Sequence, residues 1–306
     1  MSLTREALNR MSASLSRREN EATNRVHDEI KRLGLADNLI EIEAAGFTTL
    51  KGVLSQEVVE RAIDAILDHI EATTGKRIDV NTATEEDYRG MTYLPYLLYQ
   101  NQVFEDILLA EKPLALMNYL LGESRLLSSL GCHFKGPGQD GALPLHSDNG
   151  NGMVAPFPPY AQTANINYAL TPYSREAGAL AMVPGSHRWA RQPTPDEMVL
   201  GGELGNPAAI SMDLEPGDAV VWHGNTWHGS FARQIPGIRI NLAVYMCRQY
   251  IVTQERHKDV VPADFLARHA NDERMSILLG AKQPYGWQDE GPDYSLMGRA
   301  PKSRFD

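Results

Sequence analysis

Cysteine is almost missing from this sequence: Cys132 and Cys247 are the two examples in 306 residues. Two thiols do not make a disulfide framework, so a reducing, cytoplasmic setting is expected. Long apolar runs are missing as well. No stretch approaches the roughly 18 residues a membrane-spanning helix needs, and Met1-Ser2-Leu3-Thr4-Arg5 lacks the apolar core of a secretory leader. Positive charge is in deficit, with 29 Lys and Arg against 39 Asp and Glu for a formal net charge of −10. A nucleic-acid partner wants a basic face and is not expected, and a substrate carried on a phosphate-rich coenzyme is disfavoured. Internal repeats and a second domain are absent from the pattern, so 1–306 reads as one domain.

What is present fits a globular chain: 42% hydrophobic and 22% charged residues. Residues 1–37 form a charged helical extension, in which Arg17-Arg18-Glu19-Asn20-Glu21 reads as a solvated face, with a homodimer arm as the other reading. Ser55 caps an amphipathic helix. Its apolar residues Val58, Val59, Ala62, Ile63, Ile66, Leu67 and Ile70 recur at helical spacing, and Gly75 ends it. Phe104 to Leu121 predicts one further helix, closed by Gly122. From Leu126 to Cys247, short apolar stretches alternate with Gly and Pro turns, the pattern of a barrel or jelly roll. The core is placed at 38–250, and 251–306 reads as a helix followed by irregular chain containing Pro284-Tyr285-Gly286-Trp287.

Chemistry concentrates in Leu143-Pro144-Leu145-His146-Ser147-Asp148 and Trp227-His228-Gly229-Ser230. Side chains two apart share one face of a strand, so His146 and Asp148 can point together into a barrel. His228 follows Asp148 by 80 residues, after the turn Pro216-Gly217-Asp218, and Arg239 lies 11 further on. Two imidazoles and one carboxylate can hold one face of a divalent ion and leave the other open; Fe(II), Mn(II) and Zn(II) all suit that donor set. A guanidinium beside it can grip a carboxylate with two parallel hydrogen bonds. His223 competes with His228 as the distal ligand, but His228 carries the Gly-Ser and the spacing to Arg239. His133 and His187 read as structural.

The chain resembles the phytanoyl-CoA dioxygenase-like (PhyH) oxygenases. The resemblance runs over about residues 38–250 and rests on more than the ligands. Ala177 to Arg188 (AGALAMVPGSHR) is similar to that family's Gly-x-Leu…Pro-Gly-Ser-His-Arg segment, with Ala177 where Asn is usual. Glu215-Pro216-Gly217-Asp218-Ala219-Val220 is similar to its strand leading to the distal His, and Glu43 to Ser55 to its opening strand and helix start. The resemblance implies a mainly β fold with flanking α-helices, a double-stranded β-helix of the jelly-roll, cupin-like kind. It implies Fe(II) on His146, Asp148 and His228, with 2-oxoglutarate and O₂ as co-substrates. Arg239, Ser230 and Asn167 would then belong to the 2-oxoglutarate site.

The expected activity is oxidation of a mid-sized, fairly apolar small molecule, such as an intermediate of secondary metabolism, by hydroxylation, desaturation or cyclisation. Halogenation is not expected, because Asp148 occupies the position that must lack a carboxylate. Met91, Tyr93, Gln100, Phe157 and Trp227, with Tyr96 and Tyr160, are the candidate substrate wall. The Gly- and Pro-rich stretch 149–164, directly after the ligand pair, reads as a lid. Two rivals belong to other classes: a Zn or Mn hydrolase on a cupin-like barrel, which needs no dicarboxylate clamp, and a non-catalytic binding homologue, whose usual sign is a missing ligand.

Overall fold

The computed structural model describes residues 4–84, 86–87, 92–137, 142–281, 287–288, 291–292, 294 and 303–306. Helices come first: α1 (Arg5–Arg32) and α2 (Ala36–Ala45), then strand β1 (Phe47–Leu50) and α3 (Gln56–Thr74). The Ser55 hydroxyl accepts from the Val58 amide at 3.3 Å at the start of α3, and Gly75 closes it in the left-handed region at φ 79°. β2 (Tyr93–Leu94) precedes α4 (Gln102–Leu108) and α5 (Glu111–Leu121). The single helix expected from Phe104 to Leu121 is therefore two. Pro113 in the first turn of α5 has no N–H to give to the Leu109 carbonyl, and in a continuous helix its ring would clash with that carbonyl, so the break falls at Leu109–Ala110.

The remaining strands of the two larger sheets are β3 (Leu126–Lys135), β4 (Leu143–His146), β5 (Thr163–Ala169), β6 (Leu180–Met182), β7 (Ile210–Ser211), β8 (Ala219–His223), β9 (His228–Ser230) and β10 (Arg239–Cys247); Trp287–Gln288 and Gly291–Pro292 pair as a small separate ribbon. Short helices α6 (His257–Val260), α7 (Ala263–Arg268) and α8 (Glu273–Leu278) follow. Pro284, Tyr285 and Gly286 lie outside the described residues. Six strands form one antiparallel sheet in the order β1-β8-β5-β10-β3-β2, and four form a second, β4-β9-β6-β7. The two sheets face each other without closing into a continuous barrel, which matches the expected mainly β, jelly-roll class with helices outside.

Alternation along the strands decides what each face does. Leu130, Cys132 and Phe134 of β3, Ile166 and Tyr168 of β5, and Ile240, Leu242 and Val244 of β10 are buried in one core. That core is shared with Ile66 and Ile70 of α3 and with Leu116 and Leu120 of α5. Residues in the opposite phase are Ser129, His133 and Lys135, Asn165 and Asn167, and Arg239, Asn241 and Tyr245; all of them line the cavity between the sheets. The helices thus cover the apolar face, and the polar face is left to the site. β3 and β10 set the depth scale: Arg239 pairs with Lys135, Asn241 with His133, and Ala243 with Gly131.

The stretch 149–164 is not a lid. None of these residues lines the cavity. The Thr163 hydroxyl donates to Asn149 Oδ1 at 2.8 Å, the Asn225 side-chain amide to the Pro158 carbonyl at 2.9 Å, and the Phe157 amide to the Ala190 carbonyl at 2.8 Å. Phe157 is itself buried. The Gly and Pro residues shape a turn that is tied down at both ends and in the middle. Limited proteolysis within 149–164 should therefore run at the same rate with and without iron and 2-oxoglutarate; strong protection by the ligands would contradict this.

Candidate metal centre and anion clamp

His146 ends β4, Asp148 stands two residues on in a short 3-10 turn, and His228 opens β9 directly opposite His146. Antiparallel pairing of β4 with β9 is thus what brings His146 and His228, 82 positions apart in sequence, together. The Nε2 atoms of His146 and His228 lie 3.7 and 3.6 Å from the same Asp148 Oδ1. These three form the one metal-capable cluster found among the described residues, their donor atoms all within 4.8 Å of each other.

Each ring is held by its far nitrogen. His146 Nδ1 is 3.0 Å from the Pro144 carbonyl and His228 Nδ1 is 3.0 Å from the Thr226 carbonyl. A carbonyl only accepts, so both Nδ1 atoms carry a proton and both Nε2 atoms are left facing Asp148, the tautomer a metal would require. Burial pushes the His228 imidazole down to about 4, against a smaller opposing pull from Asp148, and keeps it neutral near pH 7. The second carboxylate oxygen, Asp148 Oδ2, accepts from the Asn165 side-chain amide at 2.6 Å. Between the ligands, Ser147 turns away and donates to the Gly224 carbonyl at 2.9 Å, while Gln192 bonds its backbone. Neutral imidazole donors, an oriented carboxylate and outer partners on all three ligands fit a divalent ion bound on one face. Asn165→Ala should lower iron affinity by about 10- to 100-fold, the usual cost of losing such an outer partner; a metal titration with an unchanged midpoint would refute its orienting role.

Deeper in the cavity stand two buried cations. Arg239 donates from Nη1 to the Gly178 carbonyl at 2.8 Å and from Nη2 to Asn241 Oδ1 at 2.9 Å, and its guanidinium lies 4.9 Å from the centre of the Tyr173 ring. Its Nε is buried with no partner. Lys135, 7% exposed, donates to Ser230 Oγ at 2.7 Å. Burial and the nearby Arg239 lower the Lys135 ammonium to about 8. Among the described residues no carboxylate pairs with either cation. Buried charge without a counter-charge is costly, and this pair opens onto a cavity of about 470 Å³ that also holds the His146–Asp148–His228 cluster. The residues fit an anionic ligand that spans from the metal cluster to the clamp.

Sequence reasoning placed His146, Asp148, His228, Ser230, Arg239 and Asn167 here, and the structure brings them into this cavity together. The Asn167 Oδ1 accepts from the Tyr173 hydroxyl at 3.0 Å. It missed Lys135, Asn165 and Asn241; their signal was the polar phase of the β3, β5 and β10 alternation. The sequence also reads His133 as structural, on the strand before the ligands; it is on that strand, but exposed into the cavity.

The expected substrate wall needs correction. Of its members Tyr93 lines the cavity. Gln100 is exposed, closing the turn after Leu97–Tyr99. Phe157 lies in the tied-down turn. Trp227 is fully buried, its indole N–H donated to the Arg191 carbonyl at 2.8 Å, because it is out of phase with His228 and Ser230 on β9. Tyr96 and Tyr160 do not line the cavity, and Met91 lies outside the described residues. Trp222 and Leu180 supply the apolar wall instead.

Residues 42–240 match the family described as phytanoyl-CoA dioxygenase (PhyH), and the chain belongs to that family. It is 26% identical over 206 residues to dioxygenase af480 of Aspergillus fumigatus, a match covering 65% of this chain and 62% of that protein. Among solved structures, HygX from Streptomyces hygroscopicus with nickel and 2-oxoglutarate bound aligns with a TM-score of 0.57 at 20% identity, covering 75% of this chain and 93% of HygX. The 2-oxoglutarate-dependent carbocyclase SnoK from nogalamycin biosynthesis aligns at 0.51 and 18% identity, covering 70% and 83%. At such identities the likeness is one of fold.

Proposed function

We propose that the protein is a non-haem Fe(II)- and 2-oxoglutarate-dependent dioxygenase that oxidises a mid-sized small molecule, an intermediate of secondary metabolism. The observation that carries this reading is the pairing of a two-His, one-carboxylate cluster with two buried, uncompensated cations in a single cavity. A hydrolase on the same scaffold would have no use for Arg239 and Lys135. A homologue without turnover has no reason to keep three oriented ligands and the Asn165 bond that steers one of them.

His146, Asp148 and His228 hold the iron, and Arg239, Lys135 and Ser230 hold the distal carboxylate of 2-oxoglutarate. Iron bound with 2-oxoglutarate and O₂ supplies oxidation of an unactivated C–H bond, coupled to conversion of the co-substrate to succinate and CO₂. The chain's own residues position and exclude. Asn165 keeps Asp148 turned toward the ligand cluster, the carbonyls of Pro144 and Thr226 keep both rings in the donor tautomer, and the clamp fixes one end of the co-substrate. Trp222, 4.9 Å from His228 between ring centres, and Leu180 shield this side from water. Hydroxylation is the default outcome; desaturation and ring formation draw on the same oxidant. Two buried free thiols, Cys132 and Cys247, suit a reducing compartment, and we place the protein in the cytoplasm. Among the described residues no helix is long and apolar enough to cross a membrane.

Calorimetric titration under nitrogen tests the reading. 2-Oxoglutarate should bind tightly when Fe(II) is present and much more weakly without it, since metal and clamp each hold one end. Equal affinity with and without metal, or no binding, would sink the proposal.

A further inference from the structure

One part of the cavity wall is untouched by the metal or the clamp. The ring of Tyr93, from β2, lies in the place where Gly131 of β3 has no side chain. A Cβ there would stand 2.4 to 2.5 Å from the Tyr93 hydroxyl oxygen, Cε2 and Cζ. Next along the same face is His133, its ring centre 4.6 Å from that of Tyr93 with 35° between the planes. Both strand neighbours of His133, Cys132 and Phe134, are buried members of the core shared with the helices, while His133 itself is exposed into the cavity. Ser129 and Gln254, joined by a 2.9 Å hydrogen bond, close this end.

This region offers hydrogen bonds and no charge. Burial pushes the Tyr93 hydroxyl up to about 12; the His133 ring opens onto the cavity, but the walls around it and then the nearby Arg239 push its imidazole down to about 4, so both are neutral near pH 7. The nearby carboxylate of Glu255 accepts from the Tyr96 and Leu130 amides and is not part of the cavity wall. The charged groups of the cavity are Asp148, Lys135 and Arg239, already committed to metal and co-substrate in the reading above, on which this inference rests. A charged substrate would meet no partner here, and burying unpaired charge is costly.

The geometry points to a substrate platform: Tyr93 and His133, seated by Gly131, take an uncharged, oxygen-bearing ring compound. The pair offers a ring face for stacking, and His133, Ser129 and Gln254 offer donors and acceptors to a hydroxyl or carbonyl. Gly131 is a positioning residue, since it touches no ligand and acts by giving Tyr93 its place. Coenzyme A thioesters and amino acids fall outside the class.

The test uses matched probes that differ in charge: 2-naphthol, 2-naphthoate and 2-naphthylmethylammonium, with palmitoyl-CoA as a fourth. Each is titrated calorimetrically into the anaerobic protein loaded with Fe(II) and 2-oxoglutarate, after the binding of 2-oxoglutarate itself has been recorded. 2-Naphthol should bind at least about tenfold more tightly than any charged probe, about the penalty of one weakly compensated charge. His133→Ala and Gly131→Ala should each weaken it roughly three- to tenfold, the worth of one aromatic contact. A thermal melt checks that each variant is folded, and Tyr93→Leu replaces either one that is not. A charged probe binding as tightly as 2-naphthol, no binding of 2-naphthol, or unchanged affinity in the folded variants would overturn the platform. So would loss of 2-oxoglutarate rather than 2-naphthol affinity in His133→Ala, which would put that ring in the clamp. If 2-oxoglutarate fails to bind in the first step, the dioxygenase reading falls, and the platform falls with it.

Discussion

Arg239→Ala should raise the 2-oxoglutarate concentration needed for half-maximal succinate formation by roughly one to three orders of magnitude. Truncating one partner of a buried, hydrogen-bonded charge pair costs about 2 to 5 kcal/mol, and each 1.4 kcal/mol is tenfold. Arg239 is anchored by the Gly178 carbonyl and Asn241, so its remaining N–H groups are pre-aimed and little ordering is needed on binding. Arg239→Lys should restore part of the loss, because one ammonium cannot reproduce the planar fork. Iron affinity should hardly change, since the three ligands are untouched. Lys135 adds a pH signature. Its ammonium, lowered to about 8 by burial and by Arg239, is charged below that pH and neutral above it. The anion is held best by the charged form, so 2-oxoglutarate affinity should decline as pH rises through about 8. Lys135→Met should remove that dependence and bind more weakly at pH 7. Coincident succinate curves for wild type, Arg239→Ala and Arg239→Lys would make Arg239 a structural residue.

Asp148→Ala should reduce iron-dependent turnover by at least a hundredfold, the upper end of what losing an outer partner of a metal ligand alone costs, while the cooperative thermal transition survives. Asp148 is the one acid of the cluster and the common neighbour of both Nε2 atoms. Removing it leaves two neutral imidazoles and no charge to hold a dication. It stands in a turn at the cavity edge and belongs to none of the three buried apolar clusters, so the fold has little to lose. Asp148→Asn keeps the shape and the contact surface without the charge. It should be as inactive as Asp148→Ala if charge is what matters, and near wild type if shape is.

Much of this site was legible in the sequence because it obeys local rules. His146 and Asp148 share a face through a spacing of two, and the helix at Ser55 to Gly75 declares both ends and its apolar stripe. The substrate wall was not legible. Residue type alone points to Trp227, Phe157 and Gln100, but which side a strand residue faces depends on its phase. Trp227 is one residue out of phase with His228. Lys135 and His133 were hidden for a related reason. They occupy the phase of β3 opposite Leu130, Cys132 and Phe134, and only the pairing of Arg239 with Lys135 shows that this phase meets the clamp. The lid reading fails because hydrogen bonds from Thr163 to Asn149, from Asn225 to the Pro158 carbonyl and from the Phe157 amide to the Ala190 carbonyl hold the stretch, contacts no composition reveals.

The most direct test of the central claim is succinate formation from 2-oxoglutarate by the purified protein in air, measured with Fe(II), with excess chelator, and with the Asp148→Ala protein. The account predicts that succinate accumulates with oxygen consumption in the first case and stays at background in the other two. Succinate that forms equally with chelator or in the variant, or its absence from the iron-loaded wild type under every condition, would contradict it.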